Sequence, residues 1–94
     1  MYHWTITKDY LATDIEYNRD RAVGPRSSPK RYYEVLAEPG EYFRMLDDDG
    51  KVYYEGKIVG DYDGFEPLDD LGTPDTGCTK IQYWDKEEQK WITL

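Results

Sequence analysis

The stretch Phe43-Arg44-Met45-Leu46-Asp47-Asp48-Asp49-Gly50-Lys51-Val52-Tyr53-Tyr54-Glu55 decides the fold. Asp49-Gly50 is a hairpin-turn signal, because both central residues of a type I′ turn need φ > 0 and Gly and Asp tolerate it best. A turn there places Met45 opposite Tyr54 and Arg44 opposite Glu55, with Phe43, Met45, Val52, Tyr54 and Ile58 on one side. The Arg44 and Glu55 charges then meet across the ladder, a pairing worth about 0.2–1 kcal/mol. A four-residue loop, Asp47 to Gly50, shifts the partners and keeps the same apolar face.

Working outward, the period stays near 2. Tyr2, Trp4 and Ile6 alternate with His3, Thr5 and Thr7, the pattern of a half-buried strand. Tyr32 to Leu36 reads as a second strand, stopped by Glu38-Pro39-Gly40. Asp9 to Arg21 is compatible with a helical turn or a loose strand, and Gly24-Pro25 and Ser28-Pro29 place an irregular loop over about residues 18–30. At the other end, a turn in Lys86-Glu87-Glu88-Gln89 pairs Asp85 with Lys90, Trp84 with Trp91 and Tyr83 with Ile92. Ile81, Tyr83, Ile92 and Leu94 then line one face while the two Trp stack on the other. Between the hairpins, Pro67 suits the first turn of a short helix and Gly72 its C′ position, followed by a turn cluster at residues 73–77. No stretch shows helical apolar spacing over three turns. The expectation is a mainly β, single small domain over residues 1–94. It has five or six short antiparallel strands in a twisted sheet or small open barrel, and at most one short helix.

Composition decides whether such a chain folds. Leu, Ile, Val and Phe make up only 17 of 94 residues at a net charge of −8, a level associated with disorder. Ten Tyr and three Trp reverse that reading, since each large aromatic can bury roughly 150–250 Å². A small, aromatic-rich core follows.

The charge is unevenly placed. Residues 1–37 hold six bases against five acids, for +1, while residues 38–94 hold six bases against 15 acids, for −9. Asp61, Asp63, Glu66, Asp69, Asp70 and Asp75 run without a Lys or Arg between Lys57 and Lys80, making an acidic loop of residues 60–77, and Asp47, Asp48 and Asp49 form a second knot. The sequence leaves open whether the two loops lie at one end of the sheet or at opposite ends. This sign is wrong for gripping nucleic acid or an anionic membrane through a broadly basic surface. No apolar run approaches the roughly 20 residues needed to cross a bilayer, and Met1-Tyr2-His3-Trp4 lacks the basic n-region of a signal peptide. The expected location is the cytoplasm.

Motifs for chemistry are sparse. Asp47-Asp48-Asp49-Gly50 and Asp61-Tyr62-Asp63-Gly64 suggest a calcium loop, but an EF-hand registered on Gly50 needs an acid at Met45 and Glu at Gly56, and one registered on Gly64 needs an acid at Val59. Hairpin turns account for these residues, and no metal or cofactor is expected. Lone His3 and lone Cys78 make neither a zinc set nor a disulfide. His3 reads as a solvated or hydrogen-bonded residue and Cys78 as a small buried hydrophobe. No nucleophile elbow or phosphate-cradling glycine loop is present, and a core this small scarcely permits the deep cleft that raises a carboxyl pKa, so an enzyme is not expected. The stretch Arg19 to Arg31, with five bases and one acid, reads as a solvated loop or one laid against the acidic half. Trp84 and Trp91 are either covered by the long segment 9–31 or left accessible as binding anchors.

The segments Phe43-Arg44-Met45-Leu46-Asp47-Asp48-Asp49-Gly50, Phe65-Glu66-Pro67-Leu68-Asp69-Asp70-Leu71-Gly72 and Gly77-Cys78-Thr79-Lys80-Ile81-Gln82-Tyr83 together resemble small acidic proteins carried by bacterial phages, plasmids and integrative elements. The resemblance spans most of the chain from Trp4 onward, with residues 14–31 the poorest match. It implies a mobile-element setting in a bacterial host cell and carries over no catalytic residues.

The leading functional expectation is a non-enzymatic inhibitor, anti-CRISPR-like or anti-restriction-like, whose carboxylates stand in for phosphates on a basic surface of a host protein. Its partner-binding candidates are Asp47, Asp48, Asp49, Asp61, Asp63, Glu66, Asp69 and Asp70, with Trp84 and Trp91 as possible aromatic anchors. An accessory protein binding through an aromatic sheet face is the alternative, as is an immunity or antitoxin protein that blocks a basic nuclease. Excess Asp and Glu also simply improve solubility.

Overall fold

A computed structural model describes residues 1–11 and 18–94; residues 12–17, within the segment Asp9 to Arg21 weighed as a helical turn or loose strand, lie outside these. The strands are β1 (Tyr2–Asp9), β2 (Val23–Gly24), β3 (Gly40–Leu46), β4 (Val52–Gly60), β5 (Lys80–Asp85) and β6 (Lys90–Thr93). They form one open antiparallel sheet in the order β2-β1-β4-β3-β5-β6. The mainly β expectation holds, as an open sheet and not a barrel.

Both hairpins keep the expected registers. Arg44 pairs with Glu55 and Met45 with Tyr54. The turn itself is neither of the two expected variants: Gly50 N–H bonds the Asp47 carbonyl and Asp47 N–H the Lys51 carbonyl, both at 3.1 Å, within it only Gly50 takes positive φ (84°), and the ladder slips by one residue between Met45 and Leu46. That is a turn ended by a left-handed glycine; the extra residue in the ladder is Tyr53, since Leu46 pairs with Val52 and Met45 with Tyr54, and this bulge restores the expected register beyond it. In the second hairpin Trp84 pairs with Trp91 and Asp85 with Lys90.

Residues 32–36 are not a strand. Tyr32–Ala37 form a short helix, α1, closed at its start by the Glu34 carboxylate accepting the Arg31 N–H at 3.0 Å. An apolar run this short fits either conformation, and its surroundings decide. A helix aims Val35, the one fully buried residue of the six, at the sheet while Tyr33 and Glu34 stay in solvent. The helix lies over β1 and β4. Beneath it the buried Lys57 ammonium donates to the carbonyls of Leu36 at 2.7 Å and Glu38 at 2.6 Å, and so satisfies the helix end with a cation. His3 is also buried here, with Nδ1 2.6 Å from Ser28 Oγ; its role is the hydrogen-bonded one.

The opposite sheet face carries the core. Ile6, Phe43, Met45, Ile58 and Ile81 are fully buried under Leu68, Leu71 and Cys78 of the covering segment. That segment turns helical near Pro67, as expected, yet does not stop at Gly72. A π-helical turn, Leu68–Gly72, passes directly into α2, Thr73–Thr76, and Gly77 (φ 71°) provides the left-handed end, so the expected turn cluster is helical. Gly72 is needed for closeness instead: a Cβ there would lie 2.7 Å from Met45 Sδ and 3.2 Å from Cys78 Cβ. Burial pushes the Cys78 thiol pKa up, which fits a packing role. Among the described residues no helix is long and apolar enough to cross a membrane.

Candidate functional site

The topology settles where the acids lie. Strand β4 has the Asp47–Asp49 turn at its start and the Asp61–Glu66 loop at its end, and its nine residues span roughly 26 Å at strand rise. The two acidic knots are therefore at opposite ends of the sheet.

At the β3–β4 tip most carboxylates are occupied locally. Asp47 Oδ1 accepts the N–H groups of Lys51 and Asp49, both at 2.9 Å, and these bonds, with that to Lys51 foremost, hold its pKa below the ordinary value. Asp48 accepts from Thr79 Oγ1 at 2.6 Å, which ties the tip to the residues before β5. Asp49 is exposed.

The other end gathers three separate pieces of chain. The start of β3, the loop after β4 and the β5–β6 turn meet there, because Gly40 pairs with Val59 and the β3–β5 ladder begins at Phe43 and Tyr83. Beyond that pair Glu41 and Tyr42 are not paired with Trp84 and Asp85, and these four residues border a cleft of about 560 Å³. Glu41, Asp63, Asp85 and Glu87 line it with Lys86 as the single base, and an adjoining concavity adds Asp61 and Glu66. Its aromatic and aliphatic lining is Tyr42, Tyr62, Tyr83, Trp84, Ile92 and Leu94, the Tyr62 and Tyr83 rings being stacked, with 8° between their planes.

Within this group the sequence-derived candidates differ in freedom. Asp61 is fully exposed, 3.7 Å from the terminal ammonium, and Asp63 and Asp69 are exposed. Glu66 accepts the N–H groups of Asp63 and Gly64, both at 2.7 Å; burial works to raise its pKa, but these bonds outweigh it and the pKa is lowered. Asp70 Oδ2 accepts from Tyr2 Oη and Trp4 Nε1, both at 2.9 Å, so it fastens the helical segment to β1. Burial, reinforced by that bond, pushes the Tyr2 phenol up to about 12. Asp75 is bonded to Arg19 at 2.8 Å, a contact between the basic stretch and the acidic segment. Burial and donation to Glu41 Oε1 at 2.6 Å likewise raise the Tyr62 phenol.

Trp84 and Trp91 are half-buried and meet edge to face, 5.4 Å between centroids. They stand on β5 and β6, away from β1 and β4, where α1 packs. The Arg44 guanidinium lies 4.5 Å over the Trp91 ring and donates from Nε to Gln82 at 2.6 Å.

Reading the acids as loops overlooks Glu41, Asp85 and Glu87, which join Asp61 and Asp63 only through strand order. No local pattern announces this, since Glu41 and Asp85 are 44 residues apart. Among the described residues no three His, Cys, Asp or Glu side chains are grouped to hold a metal ion. No family model matches this chain, and no significant match was found among curated proteins or solved structures.

Proposed function

We propose that this protein is a small non-enzymatic protein-binding inhibitor of a mobile element, anti-CRISPR-like in character. Its acidic pole occupies a basic, nucleic-acid-binding site on a host defence protein. The observation that carries the reading is the convergence of Glu41, Asp61, Asp63, Glu66, Asp85 and Glu87 around adjoining concavities with one Lys among them. Carboxylates held on a rigid strand-and-turn frame can meet Lys and Arg side chains that otherwise contact phosphates, giving fast, salt-sensitive association. Asp47–Asp49, at the far end, fall outside this surface; Asp69 and Asp70 flank it.

The test is affinity capture from bacterial lysate at two salt concentrations, followed by competition of the captured protein against its nucleic acid. The expected result is a basic nucleic-acid-binding protein, displaced by salt and released from its nucleic acid by the inhibitor. Capture that ignores salt, or that survives conversion of Asp61, Asp63, Glu66 and Glu87 to Asn or Gln, overturns the reading.

A second reading rests on the β5–β6 half of the outer sheet face, away from β1 and β4, over which α1 lies. It makes the protein an accessory module binding through Trp84, Trp91 and Tyr42, the last of these 44% exposed. Loss of capture in Trp84→Ala with no response to charge removal would favour it.

A further inference from the structure

The cleft between the ends of β3 and β5 has features that charge mimicry alone does not require. Beyond Phe43 and Tyr83, residues 41–42 and 84–85 line it and are not paired with each other across the sheet. The lining is apolar and partly open, with Ile92 37% and Leu94 51% exposed beside the stacked Tyr62 and Tyr83 rings. Both phenol hydroxyls are taken up by internal bonds, Tyr62 to Glu41 and Tyr83 to the Gly64 carbonyl at 2.7 Å. Gly64 is held against the C-terminal residue, since a Cβ there would lie 2.4 Å from Leu94 Cδ1. Around this floor stand Glu41, Asp63, Asp85 and Glu87.

We propose that the cleft seats an extended, arginine-bearing peptide segment of the partner protein. This deepens the inhibitor reading and rests on its premise of a basic partner. Strand ends not paired with each other offer backbone groups to an extended chain, as in strand addition. Aromatic and aliphatic lining takes an apolar residue or the methylene stem of a long cation. A guanidinium can stack on an aromatic face and reach a carboxylate with its planar fork, which suits arginine better than lysine. The protein already stacks a guanidinium on an aromatic ring at Arg44 and Trp91. Four acids facing one Lys set the sign of the occupant.

The probe is a short synthetic peptide with an Arg-Leu-Arg core, titrated into the isotopically labelled full chain and followed by NMR. Shifts are expected at Tyr62, Tyr83, Ile92 and Leu94 and not at Asp47–Asp49. Replacing both arginines of the peptide by neutral citrulline weakens binding about tenfold or more, and the exposed pair Asp63→Asn with Glu87→Gln weakens it about fivefold. Ile92→Ala, which keeps every charge, weakens it by a similar factor while the unbound spectrum stays dispersed. Absence of shifts at about 1 mM peptide, equal binding of the citrulline peptide, or indifference to Ile92→Ala overturns the proposal. The two readings fail separately. If Ile92→Ala leaves salt-sensitive target capture intact, the cleft proposal falls and charge mimicry stands; if the arginine peptide binds as expected but captured protein stays on its nucleic acid, the cleft stands and inhibition falls.

Discussion

The two aspartate-rich loops, similar in composition, do different work because of what surrounds them. At the β3–β4 tip, free backbone N–H groups of a tight turn lie within reach, and Asp47 and Asp48 accept hydrogen bonds that shape and anchor that turn. At the far end of β4 Glu66 takes the loop N–H groups of Asp63 and Gly64, and Asp61 and Asp63 keep their carboxylates in solvent beside acids from two other segments. Turn chemistry competes with partner binding for the same oxygens. A count of acids therefore does not measure the acids available to a partner.

The largest effect should come from setting the two ends against each other in binding. Converting Asp61, Asp63, Glu66 and Glu87 to their amides is expected to weaken target capture about tenfold or more, whereas amides at Asp47, Asp48 and Asp49 change it by less than about twofold. Equal losses at both ends, read from titrated capture, would erase the distinction.

In stability, the next effect belongs to the tip. Gly50→Ala meets no atom within 4 Å, but it forces a side chain into φ 84°. A loss of roughly 1–2 kcal/mol in chemical denaturation is expected from that conformational strain alone. An unchanged midpoint would show that the turn relaxes to another form.

Glu66→Gln is expected to cost about 1 kcal/mol near neutral pH, because the carboxylate accepts two backbone N–H bonds. Its sign with pH follows from the lowered folded pKa. The unfolded chain binds the proton at a higher pH than the folded one, so the carboxylate stabilises fully above the ordinary value of 4.5 and loses its contribution as pH falls below it through the folded pKa. The gap between wild type and variant should thus close between about pH 6 and about pH 3 in thermal melts. A gap that widens on acidification contradicts this assignment.

Asp49→Asn should do least. The side chain is exposed, and a change within about 0.5 kcal/mol is expected in the same denaturation experiment. A larger loss would mean that Asp49, too, belongs to the turn.

Much of this was legible at short range. Phe43, Met45, Tyr54 and Ile58 could be assigned to one buried face because Asp49-Gly50 limits how the neighbouring strands can meet, and Trp84 could be paired with Trp91 for the same reason. Tyr32–Ala37 misled, since a run of two aromatics and two aliphatics satisfies a strand's preferences until one asks what sheet edge remains for it. Gly72 misled differently: the signal for a helix end was a residue kept small by Met45 and Cys78. The placement of the ten candidate side chains was beyond local reading. Asp70 and Asp48 hold distant segments together, and Trp91 lies under Arg44 of β3, a strand with which its own does not pair.

By itself, then, the sequence determined the β class, the two hairpin registers, the start of the central helix and the −9 imbalance after residue 37. These depend on period-2 alternation and turn residues, whose energies act between near neighbours. Only the tertiary structure decided that β5 joins β3, that Asp47–Asp49 and Asp61–Glu66 lie at opposite ends of the sheet, and that a cleft opens beyond Phe43 and Tyr83. The physical reason is that strand order results from competition among unpaired edges far apart in the chain. The hydrogen bonds at stake are chemically alike, and only the packing of the whole core distinguishes one order from another.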